Sequence, residues 1–269
     1  MDLAGKVAIV TGSGGEGSGR AEARRLAAEG CRVVVSDVNE DGGQETRRLI
    51  LADGGQADFF RCDVSVETEV EALVAFAERQ YGGLDVLINN ASGPGYRPGA
   101  PIEECYPTIR TDLLGTMYGL QYGVAAMRRR GGGAILNVSS TSALSHGSAH
   151  SNMPSYDIAK IGVIRLTTTH AKLRETDSIR VNCLVPDWVA TPEVKSYYDA
   201  LTPEERRNPR LPPTLTTLDE IAQIALNLIC DTSLAGRVLV WWSGREPGLI
   251  PADDPGYTML EPYRRVSQR

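Results

Sequence analysis

Tyr156 and Lys160 stand four positions apart in the run Tyr156-Asp157-Ile158-Ala159-Lys160, a spacing that puts both side chains on one face of a helix. A free phenol ionises near pH ~10 and is a poor base at neutral pH. A positive charge beside it favours the phenolate and brings proton exchange toward the working range. An amphipathic helix with tyrosine inward and lysine outward would show the same pair. The strand end Asn137-Val138-Ser139-Ser140, just upstream, turns the reading toward an acid/base site.

A second constellation lies near the start. The run Thr11-Gly12-Ser13-Gly14-Gly15-Glu16-Gly17-Ser18-Gly19 follows a short apolar stretch and opens into a helix at Arg20. Glycines let the backbone turn tightly and let a pyrophosphate approach the free N–H groups of a helix N-terminus. A flexible surface turn would look similar in isolation, but the strand before it and the helix after it favour a dinucleotide loop. Asp37 ends the next strand, about 20 residues beyond, where a carboxylate accepts hydrogen bonds from the adenosine ribose. It would repel a 2′-phosphate, and no Arg or Lys stands beside it in sequence. The expected cofactor is therefore NAD in preference to NADP.

These residues need a scaffold that brings strand ends together. Strand-like runs at 6–11, 31–37, 58–62, 84–89, 134–139, 179–185 and 238–241 alternate with amphipathic stretches at 19–29, 66–81, 107–130, 155–173 and 218–230. Such alternation implies βαβ units and a parallel sheet covered on both faces. The expectation is an α/β fold, with a single doubly wound Rossmann-type domain at 1–244 and a seven-stranded parallel sheet. Residues 192–215 and 245–269 fall outside the alternation and are too long for ordinary connections. They read as a lid and as a C-terminal tail that packs on a neighbouring subunit.

The formal net charge of −6 argues against nucleic acid, which wants clustered Lys and Arg. The one basic run, 128–130, ends a helical stretch, where cations complement the dipole. Five widely spaced cysteines without a C-x-x-C pair fit reduced thiols better than disulfides or zinc. The apolar run 7–10 is too short for a secretory or membrane segment, so a cytoplasmic protein with no membrane partner is expected. His146 and His150 are four apart, but they lie in a Ser/Gly/Asn loop without an acidic or Cys ligand nearby. No metal is expected, and these histidines fit the lining of a substrate pocket better.

From about Lys6 to Gly244 the chain resembles the short-chain dehydrogenase/reductase family in its single-domain form. The elements that carry the resemblance are the glycine loop, Asp37, Cys62-Asp63-Val64, Asn89-Asn90-Ala91, Asn137 to Ser140, Tyr156 to Lys160, and Pro186 to Thr191, all in order. The resemblance implies that Ser140 orients the substrate oxygen, Tyr156 exchanges its proton, and Lys160 acidifies Tyr156 and holds the nicotinamide ribose. It places the pyrophosphate on Gly12, Ser13, Gly17, Ser18 and Gly19. Asp63 and Val64 are then the adenine contacts, Asn90 and Ala91 pass the riboses, and Val189 and Thr191 hold the carboxamide. Homodimers or homotetramers are common in such relatives, and Trp241-Trp242 suggests packing at a subunit interface.

The sequence departs from the family at four places. Gly12 and Gly17 enclose four residues where the family has three, so a small bulge is expected around 13–16. Asp112 stands where an asparagine usually serves the proton relay, and it joins the catalytic set in that role. Ser92 follows Asn90-Ala91, and Asp187 follows Pro186, where glycine is usual. The expected activity is interconversion of a small neutral secondary alcohol and its ketone. Two alternatives stay open: a dehydratase or epimerase that retains NAD, and a catalytically silent dinucleotide-binding protein. Tyr96, Trp188, Tyr197 and Tyr198 could line an apolar pocket or pack the lid.

Overall fold

The computed structural model describes residues 1–93, 99, 101–144, 153–208 and 211–252. In chain order the main elements are β1 (Val7–Thr11), α1 (Ser18–Ala28), β2 (Arg32–Asp37), α2 (Glu40–Ala52), β3 (Gln56–Arg61), α3 (Glu67–Tyr81) and β4 (Val86–Asn89). The second half adds α4 (Tyr106–Thr108), a π-helical turn (Ile109–Leu114), α5 (Gly115–Arg130), β5 (Gly133–Val138), α6 (Pro154–Thr169), α7 (Leu173–Asp177) and β6 (Ile179–Pro186). It ends with α8 (Pro192–Ala200), α9 (Leu218–Cys230), β7 (Val238–Trp241) and β8 (Gly248–Leu249).

The strands form one sheet in the order β3-β2-β1-β4-β5-β6-β7-β8. Every pairing is parallel except β7 with β8. Successive side chains of β1 enter opposite cores: Ala8 and Val10 pack with α1, α2 and α9, while Val7 and Ile9 pack with α3 and α5. That two-sided burial explains why β1 is apolar throughout. The chain order reverses between β1 and β4, which leaves a crevice beyond their C-terminal ends, the usual ligand position in such sheets.

Eight strands, not seven, make the sheet, because the two-residue β8 adds an antiparallel edge. Residues 248–249 of the expected tail thus pair with their own sheet, Leu249 opposite Leu239 and Gly248 opposite Val240. Residues 253–269, His146, His150 and Tyr96 lie outside the described residues. The stretch 107–130 is not one continuous α-helix, since it is widened into a π turn at 109–114. Helix α2 has no counterpart among the expected elements. Gly42 and Gly43 thin its apolar pattern, and Gly43 is where the ring of Phe59 packs, 2.0 Å from the position a Cβ would take. The segment 192–215 contains α8 and a short 3₁₀ turn at Glu205–Arg207, and a bridge between Val189 and Thr216 ties its base.

Candidate active site

The glycine loop is shaped by contact with the residues that follow β4. Gly12 has φ +67°, and a Cβ there would lie 2.6 Å from Ala91 Cα. A Cβ on Gly19 would meet the Gly12 carbonyl oxygen at 2.3 Å. Asn90 locks the turn by donating from Nδ2 to the carbonyls of Thr11 and Gly12, each at 3.1 Å. Gly17 is the N-cap of α1 and supplies no side-chain acceptor, so the N–H groups of the first turn are left for an anion.

Two cavities extend this crevice. One, of about 260 Å³, is lined by Gly12, Asp37, Asp63, Val64 and Ala91 among others. The second, of about 670 Å³, is lined by Ser18, Asn90, Ser140, Tyr156, Lys160, Val189 and Thr191 with several neighbours. The expected adenosine residues thus gather at one end and the expected nicotinamide residues at the other. Of the expected pyrophosphate residues, Ser13, Gly17 and Gly19 line neither cavity, and Ser13 is turned away from both. It is fully buried, its hydroxyl donates to the Val10 carbonyl at 2.8 Å, and its N–H donates to Ser36. Ser13 therefore braces the loop from within and lines neither cavity.

At the reacting end, Ser140 is the N-cap of a 3₁₀ turn at Thr141–Ala143, its hydroxyl accepting from the Ser142 N–H at 3.2 Å. The neighbouring Ser139 is buried, and its hydroxyl donates to the Lys160 carbonyl at 2.8 Å. That bond commits Ser139 to joining β5 and α6 and leaves Ser140 as the serine with a hydroxyl for chemistry. Tyr156 and Lys160 share a face of α6, with Nζ 5.3 Å from the centre of the tyrosine ring. Nζ also donates to the Val138 carbonyl at 3.2 Å.

Asp112 meets Lys160 directly, Oδ2 to Nζ at 3.2 Å, with side chains 0 % and 3 % exposed. Burial opposes the ammonium charge, but the facing Tyr156 and Asp112 outweigh it and hold Lys160 above the usual lysine range. Ser92 Oγ donates to Asp112 Oδ2 and the Gly93 N–H to Oδ1, both at 2.7 Å. The π turn sets this geometry, and such turns are frequent at functional sites.

Sequence reasoning missed how the departures are used. Asp187 lines the larger cavity; it accepts from the Thr141 hydroxyl at 2.9 Å and from the Ser243 N–H at 3.2 Å. It therefore links the turn after Ser140 to the end of β7. Its replacement of the usual glycine marked the position, but its partners come from distant parts of the chain. Trp188 and Tyr197 form a tilted aromatic pair 5.9 Å apart. Among the described residues no cluster suited to a metal ion occurs, and no helix is long and apolar enough to cross a membrane.

Comparison with known proteins agrees with this geometry. A family profile described as "short chain dehydrogenase" matches residues 6–201. The chain is 38% identical over 204 residues to the 2,5-dichloro-2,5-cyclohexadiene-1,4-diol dehydrogenase of Sphingobium indicum, covering 74% of this chain and 78% of that protein. It is 35% identical over 205 residues to the 7alpha-hydroxysteroid dehydrogenase of Escherichia coli, covering 76% of this chain and 78% of that protein. A solved structure of 7 alpha-hydroxysteroid dehydrogenase complexed with NADH and 7-oxo glycochenodeoxycholic acid superposes with a TM-score of 0.81 at 32% identity, over 90% of this chain and 94% of that one. With the glycine loop, Ser140, Tyr156 and Lys160 all drawn to one crevice, the chain belongs to the short-chain dehydrogenases.

Proposed function

We propose that the protein oxidises a neutral cyclic secondary alcohol, or reduces the matching ketone, with NAD(H) in preference to NADP(H). The carrying observation is the meeting of Ser140, Tyr156 and Lys160 in a cavity shared with Ser18, Val189 and Thr191. The residues fit a dinucleotide: a helix N-terminus without a side-chain cap lies between a carboxylate-lined cavity and the acid/base group. When bound, the nicotinamide supplies the hydride acceptor or donor. Ser140 holds the substrate oxygen, Tyr156 takes or returns its proton, and Lys160 keeps a positive charge beside that tyrosine.

The choice of NAD follows from Asp37. A carboxylate at the adenosine end accepts from ribose hydroxyls and repels a 2′-phosphate. Arg20 reaches the same loop, but its guanidinium is engaged by the Gly14 carbonyl at 2.8 Å and the Thr46 hydroxyl at 2.9 Å. The substrate class follows from the cavity wall, where Met153, Trp188 and Val194 offer apolar surface and, among the described residues, the charge-bearing liners are Asp187 and Lys160. A carboxylate there disfavours anionic substrates. The names of the two relatives, a cyclic diol and a hydroxysteroid dehydrogenase, point the same way.

A panel of cyclic alcohols and ketones, followed by NADH absorbance, tests the assignment. Turnover with several cyclic secondary alcohols and NAD is expected, and turnover confined to NADP or to acyclic acids would overturn it. The segment 192–215 serves as a lid over this cavity, with its base tied at Val189 and Thr216. Self-association into a dimer or tetramer belongs to the same proposal. Ile158, Met117 and Tyr106 are apolar side chains exposed at 57%, 43% and 47%, and a stable monomer by light scattering at micromolar concentration would exclude it.

A further inference from the structure

We propose that Ser92 is a positioning residue for the catalytic lysine, acting through Asp112. The proposal rests on the reading of Tyr156 and Lys160 as the acid/base pair. Asp112 is completely buried, and three donors surround its carboxylate. Oδ1 accepts from the Gly93 N–H at 2.7 Å. Oδ2 accepts from the Ser92 hydroxyl at 2.7 Å and faces Lys160 Nζ at 3.2 Å. The loop after β4 thereby grips the oxygen that attracts the ammonium.

The groups facing that ammonium come from four elements. Tyr156 lies on its own helix α6, with the ring centre 5.3 Å from Nζ. Asp112 comes from the π turn and the Val138 carbonyl from β5. Cys183 comes from β6, and burial pushes its thiol up to about 12, so it is neutral here. The ammonium therefore lies between one carboxylate and one phenol that compete for its charge.

A hydroxyl donated to a carboxylate oxygen draws charge from it, and that weakens its pull on a second partner. Without the Ser92 hydroxyl, Asp112 Oδ2 has Lys160 as its one strong partner and draws the ammonium from Tyr156. The phenol then keeps its proton to higher pH. With an amide in place of the carboxylate the competition ends, and the phenol releases its proton at lower pH. Asp112 and Lys160 are buried, so their attraction is screened less than it would be in water. Ser92 and Asp112 thus work in opposite senses on one proton.

The test reads Tyr156 without a substrate. Chains labelled with ¹³Cζ-tyrosine are titrated by NMR, and Tyr156→Phe identifies the resonance. Ser92→Ala is expected to raise the midpoint by about half a pH unit, near threefold in proton affinity, and Asp112→Asn to lower it by at least that. Ser92→Thr, which keeps a hydroxyl, restores the parent midpoint. In the Asp112→Asn background Ser92→Ala should move nothing, since the two act as one unit. An unchanged midpoint in Ser92→Ala, or additive shifts in the double variant, overturns the proposal. If Asp112→Asn fails to fold, the Ser92→Ala and Ser92→Thr pair still decides it. A parent chain that oxidises no alcohol would defeat the functional reading alone, because the titration needs no turnover.

Discussion

The N–H of Gly14 donates to Asp37 Oδ2 at 2.7 Å, and the other oxygen of the same carboxylate accepts from the Asn39 N–H at 2.9 Å. Gly14 lies in the stretch that makes the glycine loop one residue longer than is usual in the family. The extra length is used to reach the end of β2 and to hold the carboxylate in place beside the adenosine-end cavity. A Cβ on Gly14 would lie 2.7 Å from Asp37 Cγ, so only glycine permits the contact.

Gly14→Ala should therefore displace Asp37 and weaken NADH binding about tenfold, or ~1.4 kcal/mol. Asp37→Ala combined with Val38→Arg should go further and shift preference toward NADPH, because Val38 is 54% exposed and lines the same cavity. Calorimetry with both reduced cofactors reads each change. Tighter NADPH than NADH binding in the unmodified protein would refute the role of Asp37.

Tyr156→Phe should reduce turnover by at least a factor of about 10²–10⁴, the range of a lost general acid/base, while NADH still binds. Lys160→Met should lose turnover, weaken NADH binding and lower stability, since it leaves Asp112 buried without its cation, a loss of about 3–5 kcal/mol. Combining Lys160→Met with Asp112→Asn should recover stability but not activity. Thermal melts and steady-state rates on the three variants separate these effects.

Glu22 of α1 is 1% exposed, and neither carboxyl oxygen has a partner among the described residues. Burial raises its pKa from 4.5 to about 8. The unfolded chain ionises this group far more readily, so its favourable contribution is whole below pH 4.5 and is lost as pH rises toward about 8. Glu22→Gln should leave stability near pH ~4 little changed and raise it by roughly 3–5 kcal/mol near pH ~9. Urea unfolding across that range checks it, and a difference that does not grow with pH would be the contrary result.

Asp187→Ala removes the acceptor shared by Thr141 and Ser243. A buried network that loses one member is weakened by about 1–3 kcal/mol. The turn after Ser140 should loosen, lowering kcat/KM for the alcohol while the NADH Kd holds. Equal losses in both quantities would place Asp187 on the cofactor instead.

The alternation of strands and helices was legible because each central strand is buried on both faces and each long helix on one. Those constraints write themselves into the order of apolar residues at β1, β2, α3 and α9. The layout of the candidate site was legible for a related reason: Tyr156 and Lys160 meet through helical spacing, and the glycine loop meets α1 through chain continuity. Helix α2 was not legible, since its buried side is Gly43, Thr46 and Ile50 rather than a full apolar stripe. Ser13 was placed in the nucleotide site by its position in the loop, but its side chain turns inward to β1 and β2.

Local order along the chain thus determined the fold class, the glycine loop at the start of α1 and the placing of Tyr156 beside Lys160, because helix and strand periods and βα turns act over a few residues. Tertiary structure alone decided that Asp112 touches Lys160 with no residue between, that Ser92 holds the same carboxylate, and that Asp187 joins Thr141 to Ser243. Those contacts join residues 48, 20, 46 and 56 positions apart. They depend on how the π turn, α6 and the strand ends are set against one another, and packing in three dimensions fixes that arrangement.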